Sequence, residues 1–475
     1  MYSINPNFPQ YNYTTTGKTK SERVGLNTEK PVNKAPQGYV TNPKYNIPFN
    51  SALHSSDFRT KFISNEEKHK YNNLQKMLDR HSKKALDALL KKGILLNADS
   101  NDNSTVLDNL HKIANTPRAN GLNNLVTLKE TINTLNNPFV INQEFGDIPS
   151  KYQNYAKQAN SANASNLFEK KAAENDINVT HSGTCVAASI EFNMAQKHPA
   201  EFTRFVEGLS SPNMSVQKEI HLNNLADNTL DAIWLLNAFE IPYEAKDFNK
   251  AKLTFAPDKN AIIRAQIQTT DKDPLERSVV DVLMQSTLMQ VGSQQSYNTL
   301  TDKRQGKFNQ NDKGLIEFEK TFTESVVEDK NKISVTYQTV DENAKLIGYE
   351  TDMATLKRHL TESLERGENV IIGYTQVDKN NTIINGHEIT ILGYKQGKDG
   401  KLTFICNDTD DNQSKAIEYS EDYLLPKIHH AALPHDIVEN DVKLVENWVE
   451  GIKTYKELKK KQKEQQIEPQ LQQAA

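Results

Sequence analysis

Three short apolar segments late in the chain constrain its fold more than any other feature. NVIIGYTQ (369–376), HEITILGY (387–394) and LTFICN (402–407) are each bounded by turn residues, GKDG at 397–400 among them. Short runs rich in β-branched and aromatic residues between such turns predict adjacent antiparallel strands. A helix is predicted just before them over 352–366, with Leu356, Leu360 and Leu364 in register and Gly367 as its stop.

The rest of the chain divides by composition. Residues 1–60 are rich in Asn, Tyr, Thr, Lys and Pro without a sustained period, which predicts a disordered tail. Residues 61–145 read as a helical domain or pro-segment. Ser64 and Glu67 form a capping-box pattern that Ile63 could staple, and Tyr71, Leu74, Leu78, Ala85 and Leu89 follow at helical spacing. Further helices are expected near 104–115 and 121–135. A third region, 150–435, opens with a helix from Cys185 to about Lys197, with others near 215–223, 228–239 and 275–290. The stretch 292–347 is polar and mixed, and 440–475 reads as a charged helix and tail. The pattern predicts an α+β fold.

Overall totals exclude several function classes. Charge nearly balances, with 57 Lys+Arg against 61 Asp+Glu, so nothing draws the chain to nucleic acid or an anionic membrane. Two cysteines cannot build a disulfide framework or a four-cysteine zinc site, although Cys185 and Cys406 could pair with each other. The first residues lack a Sec-type signal pattern, and no run of about 18 apolar residues exists to span a bilayer. The expectation is a soluble protein, cytoplasmic or exported without a Sec-type signal.

Chemistry is concentrated in three places. HSGTCVAASIEF (181–192) puts Cys185 among small residues where a loop turns into a helix. A cysteine attacks as thiolate, and a helix start or a nearby imidazolium favours that anion. INGHEITILGY puts His387 after Gly386, at the head of an apolar strand and on the face of Ile389 and Ile391. LTFICNDTDD ends its strand on Asn407 and Asp408, which point to opposite faces, so only one of them can orient His387.

The order Cys, His, then Asn or Asp resembles the papain-like cysteine peptidases. SGTCVAAS is similar to their loop-to-helix nucleophile site, and NGHEITILGY with FICND to their histidine and Asn/Asp strands. ESLERGENVIIGYT resembles the helix, glycine and strand that precede that hairpin. Among branches, the bacterial double-glycine (bacteriocin-processing-like) peptidases resemble it most. The resemblance spans roughly 175–425. It implies a papain-like fold, with the nucleophile helix packed on an antiparallel sheet. It further implies Cys185 as nucleophile, His387 as base and acid, a peptide or protein substrate and no cofactor. Papain itself would favour Asn407 as orienter; the double-glycine branch favours Asp408, the residue preferred here.

Two departures stand out. The family carries an oxyanion glutamine about six residues before the cysteine, where this chain has Val179; Asn178, Thr180 or His181 are the substitutes at hand. Cys185 and His387 also lie 202 residues apart, beyond the roughly 130–150 typical of papain, so an insertion is expected at about 240–350. Being polar and irregular, particularly over 292–332, it is expected to form little core and to line or cover the cleft. The same triad would serve a deamidase, transglutaminase or acyltransferase, and an inert papain-like fold would serve as a binding protein.

Other motifs carry less. NQNDKGLIEFEK (309–320) mimics a calcium loop but has Lys313 and Lys320 where ligand oxygens are needed. NDTDDN (407–412) lacks that loop's central glycine and distal glutamate. His429 and His430 have no zinc-spaced partners. Trp234 and Phe239 are expected in a helix core, and no phosphate loop or metal centre is expected.

Overall fold

The computed structural model describes residues 39–40, 59–119, 121–143, 183–270, 277–300, 302–304, 306, 314–341, 343, 345–410, 414–438, 441 and 452. It is a mixed α+β structure of helices and antiparallel sheets. Most of residues 1–60 and 440–475 lie outside the described residues, as does all of 144–182. Within the stretch read as a tail, Tyr39–Val40 forms a short strand, β1.

Four helices come next: α1 (Asn65–Met77), α2 (Arg80–Lys91), α3 (Val106–Asn115) and α4 (Asn124–Asn136). Each start is set by a side-chain cap from Ser64, Asp79, Thr105 or Asn123. At α1 the Glu67 N–H donates to Ser64 Oγ at 3.1 Å, but the Glu67 carboxylate turns to Ile63 N–H and Arg59. Ile63 is 76% exposed, so the expected staple is not made.

The Cys185 helix, α5 (Cys185–Lys197), leads into α6 (Pro199–Leu209). A strand, β2 (Val216–His221), follows where a helix near 215–223 was expected. Its inward and outward residues alternate, placing Val216, Lys218 and Ile220 inward, which is the two-residue period of a strand. After α7 (Thr229–Ala238), β2 pairs with β4 (Lys250–Phe255), and β4 with β3 (Tyr243–Ala245).

The long middle stretch is no irregular insertion. It supplies α8 (Ala261–Thr270), α9 (Val279–Gly292) and α10 (Glu317–Glu328). Every residue of α9 is buried, and so is α10 from Phe318 onward. The polar composition misled because these side chains pair inside: Arg304 with Glu319, Lys320 with Glu388, Lys332 with Glu324. Buried charges are tolerated when paired in this way. Phe239 stacks on Phe322 of α10 at 3.8 Å in the core, whereas Trp234 is only half-buried.

The chain then gives β5 (Lys332–Thr336), the ribbon β6 (Gln338–Val340) with β7 (Leu346–Tyr349), and α11 (Met353–Glu365). The three apolar segments form β8 (Val370–Val377), β9 (Ile383–Gln396) and β10 (Leu402–Asn407), adjacent and antiparallel as expected. After β11 (Ile417–Ser420) and α12 (Glu421–Leu424), β12 (Ile428–Pro434) returns to the sheet. The strand order is β11-β10-β9-β8-β12-β5, with β1 pairing β9 where β8 has ended.

Two apolar cores use this sheet. Ile371 and Leu392 join a helical core that runs from α1–α4 through α5, α6 and α9, so the N-terminal helices share the core of the Cys185 helix. Val370, Ile372, Ile389, Ile391 and Phe404 form the second with Leu356, Leu360 and Leu364 of α11. Among the described residues no helix is long and apolar enough to cross a membrane.

Candidate active site

Cys185 is the first residue of α5 and 8% exposed. Thr184 occupies the capping position yet makes no side-chain cap. Its hydroxyl donates instead to Gln285 Oε1 at 2.8 Å. The Gly183 N–H donates to Asp302 Oδ2 at 2.5 Å. Both cysteines are free, so the pairing they could make is not made.

His387 lies opposite Tyr374, whose ring meets the imidazole edge-on at 5.6 Å. Its Nε2–H donates to Asp408 Oδ1 at 2.7 Å. Its side chain also interacts with that of Cys185, and with Nε2 engaged by Asp408 the ring nitrogen left for the thiol is Nδ1. Burial opposes a charge on the ring, but the Asp408 carboxylate, and then Cys185, hold His387 well above the ordinary histidine value. Cys406 is different: burial first, then the Asp408 charge, push its thiol well up.

Strand register decides between Asn407 and Asp408. Opposed residues of an antiparallel pair point to the same side. Asn407 is opposite Thr390, which shares its side with Glu388, so Asn407 turns away from His387. The next residue falls on the side of Ile389 and His387. The pairing shifts by one between Ile405 and Cys406, leaving Leu392 as the extra residue of a β-bulge. Without that shift Asn407 would have faced Ile391, on the histidine side. Asn407 is 3% exposed, and its Nδ2 has no hydrogen-bond partner.

Glu388, on the other side of β9, takes Lys320 at 2.8 Å. It sits opposite Gly373, where an added Cβ would lie 2.7 Å from Glu388 Oε1, so the glycine makes room for the carboxylate. Lys320, which spoiled the calcium-loop pattern, is therefore a buried counter-ion. His429 pairs with Glu317 at 3.0 Å, and His430 hydrogen-bonds Ser334. Among the described residues no group of three His, Cys, Asp or Glu side chains is placed to hold a metal ion.

Asn178, Thr180 and His181 lie outside the described residues. Another amide sits between the two halves of the site. Gln143 is 4% exposed, and its Oε1 accepts from the Thr409 hydroxyl at 2.9 Å, one residue past Asp408. The preceding Asn142 carbonyl accepts from Gln285 Nε2 at 2.9 Å, and Gln285 holds Thr184. Gln143 stands 42 residues before Cys185, far from the position about six residues before the cysteine where the resemblance implies a glutamine. No protein-family model, curated protein or solved structure matches the chain.

Proposed function

We propose that this protein is a papain-like cysteine hydrolase that cleaves a peptide bond. The observation that carries the reading is His387 held by Asp408 while its side chain interacts with Cys185. Nδ1 of His387 takes the thiol proton, and the sulfur attacks the substrate carbonyl carbon. The oxygen of the resulting tetrahedral species is met by the Cys185 backbone N–H at the helix start and by the Gln143 amide nitrogen. The C–N bond breaks as His387 returns the proton to the leaving amine. Water, deprotonated by His387, then attacks the thioester; its C–S bond breaks and the thiol is restored. Asp408 holds the ring in the productive tautomer throughout.

The test uses the full chain with a quenched-fluorescence peptide library, mass spectrometry of products, and Cys185→Ala as control. Cleavage that disappears in the control supports the reading, and Gln143→Ala should then lower kcat about 10²-fold. Products in which the acyl group has moved to an added amine would reassign the same triad to acyl transfer. Release of ammonia from a glutamine side chain would reassign it to a deamidase. No turnover, together with no labelling of Cys185 by iodoacetamide, would sink the hydrolase altogether.

A further inference from the structure

Two side chains from the middle stretch reach the residues just before Cys185. Gln285, on α9, is fully buried. Its Oε1 accepts from Thr184, while Nε2 donates to the Asn142 carbonyl at 2.9 Å and to Glu191 Oε2 at 3.1 Å. One amide thus ties three segments: the residue before the nucleophile, the residue before Gln143, and the second turn of the Cys185 helix. Only a planar amide offers that acceptor and those two donors together; a carboxylate would keep Thr184 and lose the other two.

Asp302 makes the second tie. It is fully buried, and its backbone adopts a left-handed conformation (φ 52°) that aspartate tolerates better than most residues. Oδ2 accepts the Gly183 N–H, and Oδ1 accepts the Tyr297 hydroxyl at 2.8 Å. These bonds shape the start of α5 in a specific way. The Thr184 hydroxyl points its proton to Gln285 and makes no cap to the helix's first N–H groups. The Gly183 N–H is engaged by Asp302, while the Cys185 N–H, at the first residue of the helix, has no acceptor within the helix and lies beside its own sulfur.

We propose that Gln285 and Asp302 are positioning residues for Cys185, holding its loop so that sulfur and backbone N–H present together to the substrate carbonyl. The proposal rests on the hydrolase reading. Misplacing a reacting group by about 1 Å can cost about 10²-fold in rate.

The experiment compares Gln285→Met, Asp302→Ala, Asp302→Asn and Tyr297→Phe in the full chain. It measures the rate of Cys185 alkylation by iodoacetamide, the urea midpoint, and kcat and KM on the best-cleaved library peptide. Gln285→Met and Asp302→Ala should lower kcat about 10²-fold with KM little changed. Asp302→Asn keeps an oxygen for Gly183 and should recover about tenfold of that loss. Should Gln285→Met fail to fold, Tyr297→Phe, which frees one side of the Asp302 carboxylate, should still slow alkylation. Wild-type alkylation and kcat in the folded variants would overturn the proposal, as would losses that only track the folded fraction. If the wild type cleaves no peptide, alkylation decides alone. Slowed labelling in the folded variants then upholds the positioning role while the peptide-cleavage reading fails; unchanged labelling overturns the positioning role as well.

Discussion

The two sides of the site are held in place by different means. His387 on β9 and Asp408 just past the end of β10 are 21 residues apart, and the backbone ladder of β8, β9 and β10 aligns them. The cysteine side is held by side chains: Gly183 and Thr184 are fixed by Asp302 and Gln285, 119 and 101 residues away. A ladder places its residues by register, and a one-residue slip inverts every face. Long-range side-chain bonds place theirs only when the surrounding core is already packed. The histidine side should therefore respond to changes of identity, and the cysteine side also to changes of packing around it.

The largest effect tests whether the two sides form one unit. Cys185→Ala and His387→Ala should each lower turnover by roughly 10⁴-fold or more, and the double variant should be scarcely worse than either. Additive losses would mean the two residues act separately. In the wild type, limiting iodoacetamide at neutral pH should modify Cys185 well before Cys406, as read by peptide mass spectrometry, because burial keeps the Cys406 thiol protonated.

Next in size is the choice of orienter. Asp408→Asn should lower kcat by about 10²–10⁴-fold, and Asn407→Ala by less than about tenfold. The wild-type fold binds the His387 proton more tightly than the unfolded chain does. That contribution to stability is complete below the ordinary histidine value of 6.5 and fades as pH rises through the raised native value. Asp408→Asn removes the strongest influence raising it, so the His387 titration followed by NMR should move down. An unmoved titration, or a larger kcat loss in Asn407→Ala, would hand the role to Asn407.

Packing comes third. Leu110→Ala in the helical core and Leu360→Ala in the sheet core should each cost about 2–5 kcal/mol in urea unfolding. A cost under about 1 kcal/mol for Leu110→Ala would show that the N-terminal helices contribute little to the core holding the Cys185 helix. The smallest effect is expected at Ile63. Being 76% exposed, it should tolerate serine within about 0.5 kcal/mol; a larger loss would restore the staple.

Local pattern made part of this molecule legible. The three apolar runs, their order and the face of His387 follow from alternation and turns, and each strand needed only its neighbours to form. The helix beginning at Cys185 was legible too, from small residues followed by a continuous helical run. The segment 292–332 was misjudged because composition reports how polar a stretch is and not whether its charges find partners. Glu319, Lys320 and Glu324 are polar in sequence and buried in fact, each opposite a charge: Arg304 and Lys332 from within the segment and Glu388 from the sheet.

What the amino-acid sequence by itself determined is the set of elements and the residue types at their ends: a cysteine opening a helix, a histidine heading a strand, and Asn407 with Asp408 closing the next. Only the tertiary structure decided which of those two turns to His387, because a single extra residue, Leu392, reverses the count between strands. It alone also brought Gln143, Gln285 and Asp302 to the site. Periodicity along a chain carries no record of partners more than 100 residues away; those are set when the helical core closes and buried polar groups must find one another.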